Sequence, residues 1–345
     1  MSAETVATPP AKPGGESSTT VVVALVANLA VALAKGVAAV ITGSASMAAE
    51  TAHSVADTVN ELFLLTALRR STRPADSTHP LGHGQDRYFF ALLAAGSIFV
   101  TGALFSAYEG IEALTAGGSE LVSPLVSYVV LGVSFVLEGI SLLRGLRQTR
   151  AQAREHEQGF GKFLDTSDDP TATTVVFRDS AALIGLLLAA SGVVLHETTG
   201  SGVYDGIASL AIAVLLAFIA VRLGRTNMRL LTGTQADPRL VRAIVRHLGD
   251  EAEAEAVVDL LTVQLGTDQV LVCARLDIID PLDAGEVEQA MVRIGGGLRR
   301  QFPDIAEVFL EPVPRKDPEV RERVRARYGE DLATRMEQEA GTGDA

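Results

Sequence analysis

The chain has 345 residues, of which 48% are hydrophobic and 21% charged, with no Trp and a formal net charge of −13. That negative balance excludes nucleic acid as a partner, because nucleic-acid binding leaves a basic patch as its footprint. A single cysteine, Cys273, excludes an intrachain disulfide, and inside "VLVCARLDI" it reads as a core side chain.

Residues 1–20 are rich in Pro, Gly, Ser and Thr, with Lys12 as the only basic side chain, which predicts a disordered tail rather than a signal peptide. A helix needs about 20 mostly apolar residues to cross the hydrocarbon core. Six stretches meet that need, at 21–42, 47–68, 88–114, 124–146, 171–195 and 203–223. The turns after the first, third and fifth stretches contain no Lys or Arg. Those after the second, fourth and sixth carry Arg69, Arg70, Arg73 and Arg87, then Arg144, Arg147, Arg150, Arg154 and Lys162, then Arg222, Arg225 and Arg229. By the positive-inside rule these face the cytoplasm, which places both termini there; the expected location is the plasma membrane.

The segment "RQTRAQAREHEQGFGKF" predicts a short surface helix and a loop, and "SDDPTATTVVF" opens the fifth span with Asp169 as cap and Pro170 at the first helical position. Beyond Thr232 the pattern becomes that of a soluble domain, at 235–314. "ADPRLVRAIVRHL" is a helix capped by Asp237, "VVDLLTVQLG" and "QVLVCARLDI" are strands, "DAGEVEQAMVRIGGGLRRQF" is a helix with a capping box from Asp283 to Glu286, and "AEVFLEP" is a strand. The order αββαβ fits a small two-layer, ferredoxin-like cytoplasmic domain. It is acidic, with 15 Asp or Glu against 7 Arg between Ala236 and Glu311. Residues 315–345 carry dense charge of both signs and predict a solvated helix with a frayed end.

The second span, "MAAETAHSVADTVNELFLL", is the anomaly. It carries Glu50, His53, Asp57, Asn60 and Glu61, although an Asp near the bilayer centre costs about 2.5–3.5 kcal/mol. His53 and Asp57 are four residues apart, hence on one helix face, and an imidazole and a carboxylate so placed can share one divalent ion. Glu50 leans toward the same face or sits near the outer interface in water. Zinc takes four donors, so another helix has to contribute, and Asp179 in "VVFRDSAALIG" is the first candidate. Asp205 is a second candidate, or it starts a helix. Lys35, Glu109, Glu112 and Glu138 have either functional or structural readings, among them an ion pair between Lys35 and an acid. In the loop "RPADSTHPLGHGQDRYFF", Asp76, His79 and His83 form another possible metal cluster, folded together at Gly82 and Gly84.

These motifs in this order resemble the cation diffusion facilitator family of divalent-metal transporters. The matching stretches are "AETAHSVADTVNELFLL", "RPADSTHPLGHGQDRYFFALLAA", "RDSAALIGLL" and "YDGIASLAIAVLLA", followed by the αββαβ domain. The resemblance implies a homodimer that exchanges a cytoplasmic divalent ion, zinc first, for protons by alternating access, without a prosthetic group. It assigns His53, Asp57 and Asp179 to the transport site and Asp76 and His83 to a loop site. It also exposes a departure, because the family's remaining fifth-span donor falls on Val175, which cannot bind metal, leaving manganese, iron and cobalt open beside zinc. Water, Asn60, Glu50 or another acid then completes the shell. With His247 as its only histidine, the C-terminal domain is not expected to hold a multi-histidine site. Three rival readings are an intramembrane metal-dependent hydrolase, a membrane-anchored sensor or scaffold, and an organic-cation transporter.

Overall fold

A computed structural model describes residues 18–115, 122–155, 170–267, 269–280, 282–314, 317–320 and 322–327. The expected N-terminal tail, the cap at Asp169 and the end of the charged C-terminal segment lie outside these residues. The helices are α1 (Ser18–Thr42), α2 (Ala45–Ser71), α3 (Asp86–Ser97), a π-helical segment (Ile98–Leu104), α4 (Phe105–Thr115), α5 (Pro124–Glu155), α6 (Pro170–Thr199) and α7 (Val203–Leu231). Five of the predicted spans, counting Asp86–Thr115 as one, are long and apolar enough to cross a bilayer. The sixth, α2, has the length, since its 27 residues rise about 40 Å, but it is too polar to be counted with them. The chain is a multi-pass membrane protein.

Two features go beyond the expected spans. The third span is interrupted by the π-helical segment Ile98–Leu104, an irregularity that hydrophobic periodicity does not register. The helix of the fourth span continues unbroken through Arg147, Arg150 and Arg154 to Glu155, and the loop expected after it lies outside the described residues. Arg and Gln are good helix formers, and no Gly or Pro between Leu146 and Glu155 stops the helix.

The chain divides into two compact units. One comprises Met1–Thr66, Leu93–Arg144 and Val176–Val221, the other Ala67–Leu92, Gly145–Val175 and Arg222–Ala345. In the first unit α2 is inside out relative to a lipid-facing helix. Glu50, His53, Asp57 and Glu61 are buried together with Ala49, Ala52 and Ala56, whereas Val55 and Leu62 are exposed. The polar face therefore points into the bundle, and the small residues let neighbouring helices approach it closely.

The start of α2 is fully accounted for. Gly43, at φ +64°, ends α1 in the left-handed conformation. Ser44 Oγ accepts the Met47 amide at 3.2 Å, and Ser44 O accepts that of Ala48 at 3.0 Å. Asp205, reaching over from α7, accepts from the amides of Ala45 at 2.6 Å and Ser46 at 3.4 Å, and from both serine hydroxyls. Asp205 thus starts a helix, but not its own. Replacing Asp205 by Ala strips a buried carboxylate from a helix N-terminus, and the cost is about 2 kcal/mol or more. A lowered thermal midpoint of the detergent-solubilised protein, restored in part by Asp205→Asn, is the expected result.

In the second unit, α8 (Pro238–Gly249), β1 (Ala254–Gly266), β2 (Gln269–Ile278), α9 (Ala284–Gln301) and β3 (Ile305–Pro312) follow the predicted αββαβ order. β1 and β2 are antiparallel and β3 is parallel to β2, in the order β1-β2-β3, with α9 as the crossover that a parallel pair requires. Asp237 caps α8, and Asp283 with Glu286 forms the capping box of α9. Ile244, Leu248, Ile294 and Leu298 pack on Leu260, Val270, Val272, Ala274 and Leu276. Strand alternation sends Val272 and Ala274 into this core and leaves Cys273 half-buried between Leu261 and Phe309, so Cys273 is not a core residue. Residues 318–320 and 322–327 are helical and only partly solvated. Val320 and Val324 pack against Val258, and Arg327 pairs with the buried Asp259 at 2.8 Å.

Candidate metal sites

Within the membrane unit, α2 presents His53 and Asp57 on one buried face, with Nε2 3.5 Å from the Asp57 Oδ2. Oδ1 of Asp57 has no hydrogen-bond partner among the described residues. On its other edge, the His53 Nδ1 lies 3.9 Å from Glu50 Oε1. Glu50 is not at a wet interface: it is fully buried, and Oε2 accepts from Lys35 Nζ at 2.9 Å. The Lys35 ion pair is thus the structural reading realised.

Asp179 is buried on α6 but already engaged. Ser141 Oγ of α5 donates to Oδ2 at 2.7 Å, and Arg178 Nε lies 3.6 Å from Oδ1. The same Arg178 bonds Glu61 of α2 at 3.1 Å. Glu138 lies within electrostatic reach of Asp57 and Asp179. His53, Asp57 and Asp179 are therefore not drawn into one tight trio, since among the described residues only Asp76, His79 and His83 bring three such donors within 4.8 Å of one another. Sequence reasoning missed Arg178, Glu61 and Ser141 as neighbours of the candidate site. Arg178, next to Asp179 on an apolar helix, was the legible signal. The side chain of Val175 lies outside the described residues.

The loop cluster is assembled by Asp76. Its Oδ1 accepts from the amides of Thr78 and His79, at 2.8 and 2.7 Å, and from the Thr78 hydroxyl at 2.6 Å. Its Oδ2 lies 3.1 Å from His83 Nε2, and the rings of His79 and His83 stack at 4.1 Å between centroids. Asp86 approaches the His83 Nδ1 at 3.7 Å and is itself held by Arg70. Gly84 is needed for close approach, because a Cβ there would lie 2.6 Å from Leu265 O at the end of β1, beside the β1–β2 turn. Arg87 adds a 3.3 Å bond to Thr267 in that turn.

Hydrogen bonds from the Thr78 hydroxyl, from His83 and from the two amides hold the Asp76 carboxyl well below the usual carboxylate range. With the folded value depressed, the loop's stabilisation by Asp76 is complete above the ordinary Asp value of about 3.9 and is lost only as pH falls through the lower folded value. Protection of the Thr78 and His79 amides from hydrogen exchange should therefore persist from pH 7 to about pH 4, and Asp76→Ala, which removes the acceptor, should abolish it at every pH.

Residues 21–232 match the family model described as the cation efflux transmembrane domain. The proton-coupled zinc antiporter SLC30A9, mitochondrial, of Homo sapiens is 32% identical over 243 residues, covering 70% of this chain and 43% of that protein. Metal tolerance protein C4 of Arabidopsis thaliana is 27% identical over 84% of this chain and 61% of its own length. The manganese efflux system protein MneP of Bacillus subtilis is 25% identical over 85% of this chain and 94% of its own length. The chain thus spans less than half the length of the human relative it matches. The family match runs through all the membrane helices and includes both candidate sites, and the chain belongs to the cation efflux family, the cation diffusion facilitators.

Proposed function

We propose that this protein carries a divalent cation, zinc foremost, across its membrane in exchange for protons, with His53, Asp57 and Asp179 as the transport site. The observation that carries the reading is the buried pair on α2. Two donors on one tetrahedral ion with bonds of about 2.0–2.2 Å lie about 3.3–3.5 Å apart, and His53 Nε2 and Asp57 Oδ2 are separated by 3.5 Å. The buried Asp57 Oδ1, without a hydrogen-bond partner among the described residues, is an acceptor atom free to meet a cation. Asp179 would exchange its Ser141 bond for the ion. Metal ligands bind deprotonated, so protons and metal compete for the same atoms and an opposing pH gradient can drive exchange.

Asp76 and His83, with His79, form in this reading a second divalent-ion site on the loop. A homodimer in the plasma membrane belongs to the same reading, and the Arg-rich alternate loops support cytoplasmic termini. The human relative's name carries zinc and protons and points to mitochondria, and the Bacillus relative's name carries manganese. The manganese reading gains from Val175, which leaves a donor set dominated by carboxylates.

The test is flux into proteoliposomes with zinc, manganese, iron and cobalt, with and without a pH gradient. Zinc uptake that rises with an opposing proton gradient is expected. Absence of flux for every ion would leave a sensor or scaffold.

A further inference from the structure

Lys35 and Glu50 are 2% and 0% exposed and joined at 2.9 Å, yet the mechanism above uses neither. Glu50 Oε1 has no hydrogen-bond partner among the described residues and faces the His53 Nδ1 at 3.9 Å. Gly185 of α6 makes the room, because a Cβ there would collide with Glu50 Oε1 and lie 3.7 Å from His53 Nδ1. The imidazole is thus bracketed by two acids: Glu50 on the Nδ1 edge and Asp57 on the Nε2 edge.

The two nitrogen lone pairs of an imidazole point in divergent directions. An ion held between Nε2 and Asp57 is therefore out of reach of a carboxylate on the Nδ1 edge, and Glu50 is further committed through Oε2 to Lys35. That removes Glu50 from the candidates for the donor missing at Val175. With an ion between Nε2 and Asp57, the one proton of a neutral imidazole is left to Nδ1, the nitrogen that faces Glu50 Oε1 at 3.9 Å.

We propose that Glu50, anchored by Lys35 and seated against Gly185, is a positioning residue that holds the His53 proton on Nδ1 and so presents Nε2 as the metal donor. This rests on the reading of His53 as a transport-site donor.

Glu50→Gln offers a sharp probe. Its carbonyl is drawn to Lys35, its NH2 then faces the Nδ1 edge, and the wrong tautomer is favoured. In proteoliposomes the KM for zinc should rise about tenfold or more with the maximal rate held within about twofold. Gly185→Ala, which displaces the carboxylate without altering its chemistry, should raise KM similarly. On a His53→Asp background, where the donor has no tautomer, Glu50→Gln should change KM by less than about twofold.

An unchanged KM in both Glu50→Gln and Gly185→Ala overturns the proposal. So does an effect of Glu50→Gln that persists undiminished on the His53→Asp background, which would mark Glu50 as a ligand or a purely structural group. If His53→Asp does not transport, the Gly185→Ala result decides by the split between KM and maximal rate. The transport-site reading fails separately, by survival of flux in Asp57→Ala.

Discussion

Replacing Asp57 or Asp179 by Ala is expected to reduce zinc-driven proton movement in proteoliposomes by about 100-fold or more while leaving the protein folded. Loss of a group that merely orients a metal ligand costs about 10–100-fold, and loss of a ligand should cost at least as much. The expected separation of function from stability follows from the surroundings. Asp57 Oδ1 makes no hydrogen bond among the described residues, so the folded state loses little when the carboxylate goes. Arg178, which interacts electrostatically with Asp57, keeps Glu61 at 3.1 Å and Asp179 at 3.6 Å. In Asp179→Ala the Ser141 hydroxyl loses its acceptor, a modest penalty, and Arg178 keeps Glu61. The thermal midpoint of Asp57→Ala should therefore stay at or above that of the parent, and flux surviving both substitutions would place the transport site elsewhere.

Lys35→Met should instead cost stability heavily, about 3–5 kcal/mol, because it leaves the carboxylate of a fully buried Glu50 uncompensated. Removing both charges together, as Lys35→Met with Glu50→Leu, should recover most of that loss, since desolvating an ion pair offsets much of its Coulomb gain. Thermal unfolding in detergent measures both. The double variant should still transport zinc with a raised KM, because the proton on His53 is no longer directed. A single variant as stable as the parent would mean that Glu50 finds another counter-charge or takes up a proton at little cost.

The reading of α2 shows where sequence suffices. The His53–Asp57 pair lies within one helix, so its geometry follows from 3.6 residues per turn once the stretch is helical. The same locality explains the caps at Asp237 and Asp283 and the αββαβ order, each set by residues within a few positions of one another. It also explains two features that the sequence does not register. A π-helical segment and an uninterrupted helix over 147–155 leave composition unchanged, and they depend on how neighbouring turns pack.

What composition, spacing and loop charge determined by themselves was a multi-pass membrane chain with a His–Asp pair one turn apart on its most polar helix, a three-residue loop cluster and an acidic C-terminal domain. Only the tertiary structure decided which partners those charges meet. Lys35 finds Glu50 at a separation of 15 residues, Ser141 finds Asp179 at 38, Arg178 finds Glu61 at 117 and Asp205 finds the start of α2 at 160. Such pairings depend on the rotation and depth of each helix against the next, and these are set by close packing over many side chains at once rather than by any local pattern. A buried charge has to find a partner, so the sequence could demand the pairings without naming them.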